Sequence, residues 1–345
     1  MTVTIKEIAK MAGVSASTVS RILNQDPLLS VKKETREQVR EIALKLNYRS
    51  THKEKRRSYK PVAIITSMSE KRENEDPYWR NIHHGIRLAS NKYGLSIAKV
   101  IRLGTDNIRK NDVSQYSSLI LTGDLSAAAI QDIYRMNHNI VLVDARLHFN
   151  NIDSVEPDFV FTTEKLLNEL ASLGRKRIAF LGGINERMNF NGSSHHAWED
   201  ERTRVYRKWM EEHNYVEIIS NGGWGSESGY ENIKQLLSNH GPIDALITAS
   251  DAIAIGAIKY LQEQNIKIGQ DILVASFDNL DFVSYLNPPL TSVDLSPDAI
   301  GSTALQQALE LTQGQRHWHK WTIIPGEIAY RASFDPKKLK SSLQL

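Results

Sequence analysis

The chain has no cysteine in 345 residues, which excludes disulfides, cysteine-ligated zinc and thiol catalysis and is compatible with a reducing cytoplasm. No apolar run approaches a membrane span and none behind the first residues resembles a signal peptide, so a soluble, cytoplasmic protein with no membrane partner is expected. Internal repeats and low-complexity tracts are missing. A dinucleotide fingerprint and a phosphate loop are missing too, so no cofactor is expected. The string GSESG from Gly225 has the outline of a nucleophile elbow, but its central residue is Glu227 rather than serine. The neighbours His83 and His84, His195 and His196, and His317 and His319 do not have zinc spacing, so no metal is expected either. Little remains to support an enzyme.

What is present is an uneven charge. Residues 1–60 hold 14 Lys+Arg against 6 Asp+Glu, a balance of +8, while the other 285 hold 29 against 34, a balance of −5. The overall +3 hides a basic head on an acidic body, as phosphate binding by one end of a soluble sensor requires. The head reads TIKEIAKMAGVSASTVSRILN from Thr4. Thr4 and Glu7 form a capping box, and Ile5, Ile8, Ala9 and Ala12 recur on one helical face. Gly13 stops that helix, and Ser15 caps a second one that buries Val19, Ile22 and Leu23. Ala16, Ser17, Ser20 and Arg21 are left pointing outward. Small residues at the start of this helix allow close approach to a major groove, and Arg21 can fork onto a guanine edge. A third helix, from about Lys32 to Leu46, presents Val39, Ile42, Ala43 and Leu46 and closes a small core. The alternative is an ordinary helical hairpin within a larger fold. Residues 49–60, RSTHKEKRRSYK, form a basic linker before Pro61; the bland reading of it is a solvated tether.

Beyond Pro61, short runs rich in Ile and Val alternate with helical patterns: VAIITS, LSIAKVI, SLILTG, IVLVDA, RIAFLGG, VEIIS, ALITAS and ILVASFD. Such runs read as strands buried on both faces of a parallel sheet. The expected fold is α/β: a three-helix helix-turn-helix domain followed by two doubly wound parallel lobes. Ligands in these folds bind outside the carboxyl ends of the strands, in a cleft where two lobes face each other. NEDPYWRNIHHGI, with Pro77 in a first helical turn, brings Tyr78 or Trp79 to the cleft mouth.

The stretch GVSASTVSRILN resembles the signature of the LacI/GalR family of bacterial repressors. LGRKRIAFLGG from Leu173, ASDAIAIGA from Ala249, SFDN from Ser276 and PPLTSV from Pro288 extend the resemblance through residues 61–333. It implies a sequence-specific repressor of double-stranded operator DNA controlled by a small sugar. Ala16, Ser17 and Arg21 match positions that read bases; Thr4, Ser15, Thr18, Ser20, Asn24 and Tyr48 match positions that grip phosphates. The hinge departs from the family by lacking the leucine that wedges into the minor groove, leaving Lys55, Arg56 and Arg57 for the DNA backbone or a narrow minor groove.

The resemblance also implies lobes like those of periplasmic sugar-binding proteins, crossed three times by the chain, near Phe161, Val293 and Trp321. The expected units are therefore 1–48, 49–60, 61–160 with 294–320, and 161–293 with 321–335. Asp144, Asp278, Arg202 and Trp224 match the family's ligand contacts: carboxylates for hydroxyls, a donor fork for oxygens, and an indole face for a pyranose. Ser250 stands where the family often has asparagine. Read singly, each has a plainer role: helix cap, surface charge or core. NEDPYWRNIHHGI and GGWGSESGYE look most like the galactoside-responsive branch, so galactose or lactose is the expected effector. A homodimer is expected, with Ile255 at a family interface position and no leucine heptads in the tail to build a tetramer. The alternatives are a regulator responsive to another sugar, a transport-type sugar-binding protein, which would need an export signal and no head, and a sugar-metabolising enzyme with an accessory helical domain, which would need a base and an acid at chemical distance and has only Asp144 and Asp278 to offer.

Overall fold

The computed structural model describes residues 4–23, 29, 31–46, 61–93, 95–106 and 113–342. Contacts divide the chain into Met1–Tyr59 and Lys60–Leu345. In the first unit, α1 (Ile5–Ala12), α2 (Ala16–Leu23) and α3 (Lys33–Lys45) follow the pattern of the sequence. Both halves of the capping box form: the Thr4 N–H donates to Glu7 Oε2 at 2.6 Å and the Glu7 N–H to Thr4 Oγ1 at 3.4 Å. Gly13 turns the chain at φ 65°, in left-handed backbone that glycine enters without a Cβ penalty. The Thr18 N–H then donates to Ser15 Oγ at 3.0 Å, capping α2. Ile8, Val19, Ile22 and Val39 form a fully buried centre, with Leu23, Ile42 and Leu46 packed against it.

The second unit has two lobes. The first runs through β1 (Val62–Thr66), α4 (Glu70–Glu75), α5 (Pro77–Tyr93), β2 (Ile97–Arg102), β3 (Ser118–Thr122), α6 (Ala127–Met136), β4 (Ile140–Val143) and β5 (Asp153–Pro157). The second runs through α7 (Phe159–Ser172), β6 (Ile178–Met188), β7 (Ser194–Glu199), α8 (Glu201–Glu212), β8 (Ile219–Gly222), α9 (Ser226–His240), β9 (Ala245–Thr248), α10 (Asp251–Glu263), β10 (Leu273–Phe277) and β11 (Thr291–Asp294). α11 (Pro297–Thr312) and β12 (Trp321–Ile324) return to the first lobe, and β13 (Glu327–Ala329) and α12 (Pro336–Ser342) follow.

The first sheet is parallel throughout, in the order β12-β5-β4-β3-β1-β2. Alternation along β1 sends Val62 and Ile64 into one core cluster and Ala63 and Ile65 into another, which is why the run needs no polar positions. The second sheet runs β13-β11-β10-β9-β6, with β8 parallel to β6 and β13 antiparallel to β11. Two crossings differ from the sequence expectation. β12 pairs with β5, so Trp321 begins a first-lobe strand and the chain leaves that lobe between Ile324 and Glu327, not at Trp321. The first crossing falls at Asp158, ahead of Phe161, because Asp158 caps α7. The chain enters α11 after β11 ends at Asp294, just beyond Val293. Among the described residues no helix is long and apolar enough to cross a membrane.

Candidate functional site

On the head, Ser17 and Arg21 are exposed one helical turn apart on α2, while Ala16 and Ser20 are half-buried beside them. Ser15 Oγ lies 2.8 Å from both Ser17 Oγ and Thr18 Oγ1. Thr4 and Ser15 thus serve first as helix caps, and a phosphate contact must use their remaining capacity. Asn24, Tyr48, Lys55, Arg56 and Arg57 lie outside the described residues.

In the core, the carboxyl ends of the strands of both lobes converge on a narrow cleft with a cavity volume of about 40 Å³, below the roughly 300–1,000 Å³ of open small-molecule sites. Trp79, Asp144, Arg202, Trp224, Ser250 and Asp278 all line it. So do Arg72, Asp76, Tyr78, Asp124, Arg146, Phe159, Asn185, Trp198 and Asp200, of which the sequence analysis names only Tyr78 as a cleft residue. Asp124 carried a readable signal: it ends SLILTGD as Asp144 ends IVLVD.

Arg202 is buried, not a surface charge. Its Nε donates to Asp200 Oδ1 at 2.6 Å, Nη2 to Asp200 Oδ2 at 2.9 Å and Nη1 to the Ala249 carbonyl at 2.6 Å. The guanidinium carbon stands 4.0 Å from the centre of the Phe159 ring and 5.2 Å from that of Trp224. Trp224 is oriented by its own Nε1, which donates to the Ile184 carbonyl at 3.1 Å. Tyr78 Oη donates to Asp144 Oδ2 at 2.8 Å, and Arg146 Nη2 stands 2.6 Å from Asp144 Oδ1. Ser250 caps α10, its Oγ accepting from the Ile253 N–H at 3.3 Å, which leaves its own hydrogen available to the cleft.

Strain gathers here. Asp144, Arg146 and Asp278 hold φ of 52°, 51° and 101°, conformations that cost a non-glycine residue about 1–3 kcal/mol each and tend to cluster at functional sites. Charge gathers too, with five aspartates against three arginines on the lining. Each arginine already faces an acid: Arg72 with Asp124 at 3.9 Å, Arg146 with Asp144 and with Glu201 at 2.8 Å, and Arg202 with Asp200. Burial pushes the Asp124 carboxyl up to about 7 against the pull of Arg72. Burial also raises Asp144, Asp76 and, well above the ordinary range, Asp278, where the charges of Asp76 and Asp251 add to it. Burial works the same way on Asp200, but the charge and hydrogen bonds of Arg202 outweigh it and hold that carboxyl below the ordinary value. Carboxyls outnumber guanidiniums, and burial favours their protonated forms, so the lining can both accept from and donate to hydroxyls and disfavours a negatively charged ligand.

The histidine neighbours face separate partners. His83 Nε2 is 3.1 Å from Thr122 Oγ1 in the interior, whereas His84 Nδ1 is 3.0 Å from Asp298 Oδ1 at the surface. No group of three metal-ligating side chains occurs among the described residues.

Residues 4–50 match the family described as bacterial regulatory proteins, lacI family, and residues 167–334 match the periplasmic binding protein-like domain. The chain is 31% identical over 338 residues to the HTH-type transcriptional regulator GanR of Bacillus subtilis (strain 168), covering 96% of this chain and 99% of that one. It belongs to the LacI family. The HTH-type transcriptional regulator GalR of Lacticaseibacillus casei is 30% identical over 336 residues, covering 96% of this chain and 99% of its own. A crystal structure of the Lac repressor bound to ONPG in the repressed state shares the fold, with a TM-score of 0.68 at 23% identity over 97% of this chain and 100% of that one. As a LacI-family member, the chain is a DNA-binding transcriptional regulator built from a helix-turn-helix domain and a periplasmic-binding-protein-like core.

Proposed function

We propose that this regulator represses by binding a pseudo-palindromic operator as a homodimer and releases it when galactose or lactose enters the cleft. The observation that carries the ligand class is the pairing pattern: every lining arginine faces a carboxylate, and acceptor capacity is left over on Asp76, Asp144 and Asp278. That pattern accepts the hydroxyls of an uncharged saccharide, with Trp224 and Trp79 supplying aromatic surface for C–H faces, and leaves no cation for a phosphate or carboxylate. The relatives named for galactose and lactose regulation favour a galactoside within that class. In the head, Ala16, Ser17 and Arg21 read base edges, while Thr4, Ser15, Thr18, Ser20, Asn24 and Tyr48 hold phosphates and Lys55, Arg56 and Arg57 add salt-dependent affinity.

One three-helix head covers about one half-site, too little for selection among genomic sites, so two copies are required. Ile255, half-buried beside Tyr230 and Lys259 in a surface hollow between α9 and α10, suits contact with the second copy. Binding that prefers the closed arrangement of the lobes lowers operator affinity by biasing two states.

The test is fluorescence anisotropy on duplex DNA from upstream of the regulator's own gene, at modest salt, with galactose, lactose, galacturonate and galactose 6-phosphate. Binding that is relieved by the neutral sugars alone is expected. Indifference to duplex DNA in every condition, or release by the acidic sugars alone, overturns the reading.

A further inference from the structure

β6 does not end with its sheet. Past Gly183 it continues as an arm, pairing antiparallel with β7 from Ile184 opposite Glu199 to Met188 opposite Ser194. The arm belongs to the second lobe by sequence, yet its tip is docked on the first. The Met188 N–H donates to the Asp124 carbonyl and the Ser126 N–H to the Met188 carbonyl, both at 2.8 Å. Ser126 Oγ donates to Asn189 Oδ1 at 2.7 Å, and Arg187 Nη1 donates to the carbonyls of Leu125 and Ala145 at 3.2 Å each. Met188 and Phe190 pack on the apolar core cluster of the first lobe. At the turn, a Cβ on Gly192 would lie 2.3 Å from the Gly104 Cα, so this approach requires glycine at 192.

The base of the arm walls the cleft with Asn185 and Trp198. Arg187 stands 4.7 Å from the Trp198 ring centre, and the indole Nε1 of Trp198 is buried without a hydrogen-bond partner. A buried donor left unpaired costs roughly 1–3 kcal/mol unless something accepts from it. Asp124 joins the two functions, since its carbonyl holds Met188 and its carboxyl lines the cleft.

We propose that the arm spanning 184–199 is a latch: it must undock from the first lobe for ligand to exchange, and when docked it offers the Trp198 N–H to an oxygen of the enclosed sugar. This rests on the saccharide reading above. It adds a gate and a specificity contact that resides outside the paired arginines and aspartates. A sugar held behind a docked arm is enclosed, so the latch also restricts the effector to short saccharides and rejects a continuing chain.

The absence of native cysteine makes a crosslink clean. In the full-length protein carrying Ser126→Cys and Asn189→Cys, oxidation is expected to slow exchange of labelled galactose, in either direction, by more than about tenfold, with reduction restoring it. Ser126→Cys alone controls for the lost cap of α6. Separately, Trp198→Phe is expected to weaken galactose about tenfold by calorimetry, as loss of one hydrogen bond to a buried donor implies, with operator affinity unchanged. Wild-type exchange in a crosslinked sample, verified by thiol titration, overturns the latch; unchanged galactose affinity in Trp198→Phe overturns the contact. If wild-type protein binds no sugar, the saccharide reading falls by itself. The latch is then judged by amide hydrogen exchange: protected Met188 and Ser126 amides uphold docking, and unprotected ones overturn it.

Discussion

Asp200 and Arg202, two residues apart at the start of α8, meet in a two-pronged ion pair that faces the cleft with both partners buried. The sequence presents Arg202 as a ligand contact or a surface charge; the structure makes it a structural cation as well. Removing it leaves Asp200 buried and unpaired, which costs about 3–5 kcal/mol. Arg202→Ala is therefore expected to lower the unfolding free energy by that amount in urea titrations, and a loss under about 1 kcal/mol would show that the pair is not integral to the fold.

Asp278 separates ligand binding from stability better. Its carboxyl takes the Asp251 N–H and otherwise faces the cleft. Asp278→Asn keeps the shape and replaces one carboxyl oxygen by an amide donor, so galactose affinity should fall about tenfold, the equivalent of one lost hydrogen bond in a buried site. Operator binding without sugar should be unchanged. Sugar release at wild-type concentrations would remove Asp278 from the ligand contacts.

Asp124 predicts a pH dependence. Its folded-state carboxyl is raised to about 7, above its unfolded value, so its stabilising contribution is complete in acid and is lost as pH rises through about 7. Between pH 6 and 8 this amounts to about 1 kcal/mol. Asp251, pushed up by burial to about 6, acts in the same direction, so the comparison with Asp124→Asn isolates the residue. Thermal melts across this range should show a flatter decline in the variant, and parallel curves would count against burial as the cause.

Arg21 tests the head. Arg21→Ala should cost about 1–3 kcal/mol on the preferred operator and relax selectivity at one base pair, measured by titrating single-base operator variants. A uniform loss across all variants would make Arg21 a phosphate contact.

Gly13 tests the turn itself. A Cβ added at this position has no neighbouring atom within 4 Å, so Gly13→Ala meets no clash, and only the left-handed φ of 65° opposes it. The expected loss is about 1–2 kcal/mol in the head, read by amide exchange of Ile8 and Val19 in the full chain. A change confined to the core would mean that the head does not depend on this turn.

Much was legible without coordinates because local chemistry decided it. Thr4, Glu7, Gly13 and Ser15 form caps and a turn from residues within a few positions of one another, so their roles survive folding unchanged. The eight apolar strands were equally plain. β5, Asp153–Pro157, was not among them: its five residues are all buried, yet DSVEP offers Val155 as its one strongly apolar strand former. Asp153 is tolerated there because Arg316, His319 and the Lys320 N–H reach it from more than 160 positions away, and Glu156 because Arg146 and His148 stand beside it. β12 was hidden similarly, an edge strand that alternates exposed and half-buried residues, and its pairing with β5 is what moved the third crossing.

The amino-acid order by itself determined the head, the strand-rich lobes and the aspartates at strand ends, because periodicity, capping and burial of apolar runs act over short stretches of chain. Only the tertiary structure decided which charges pair, that Arg202 is clasped by Asp200, and that an arm of the second lobe is fastened to the first. Those outcomes depend on desolvation and on partners distant in sequence, and neither is encoded in any window short enough to read along the chain.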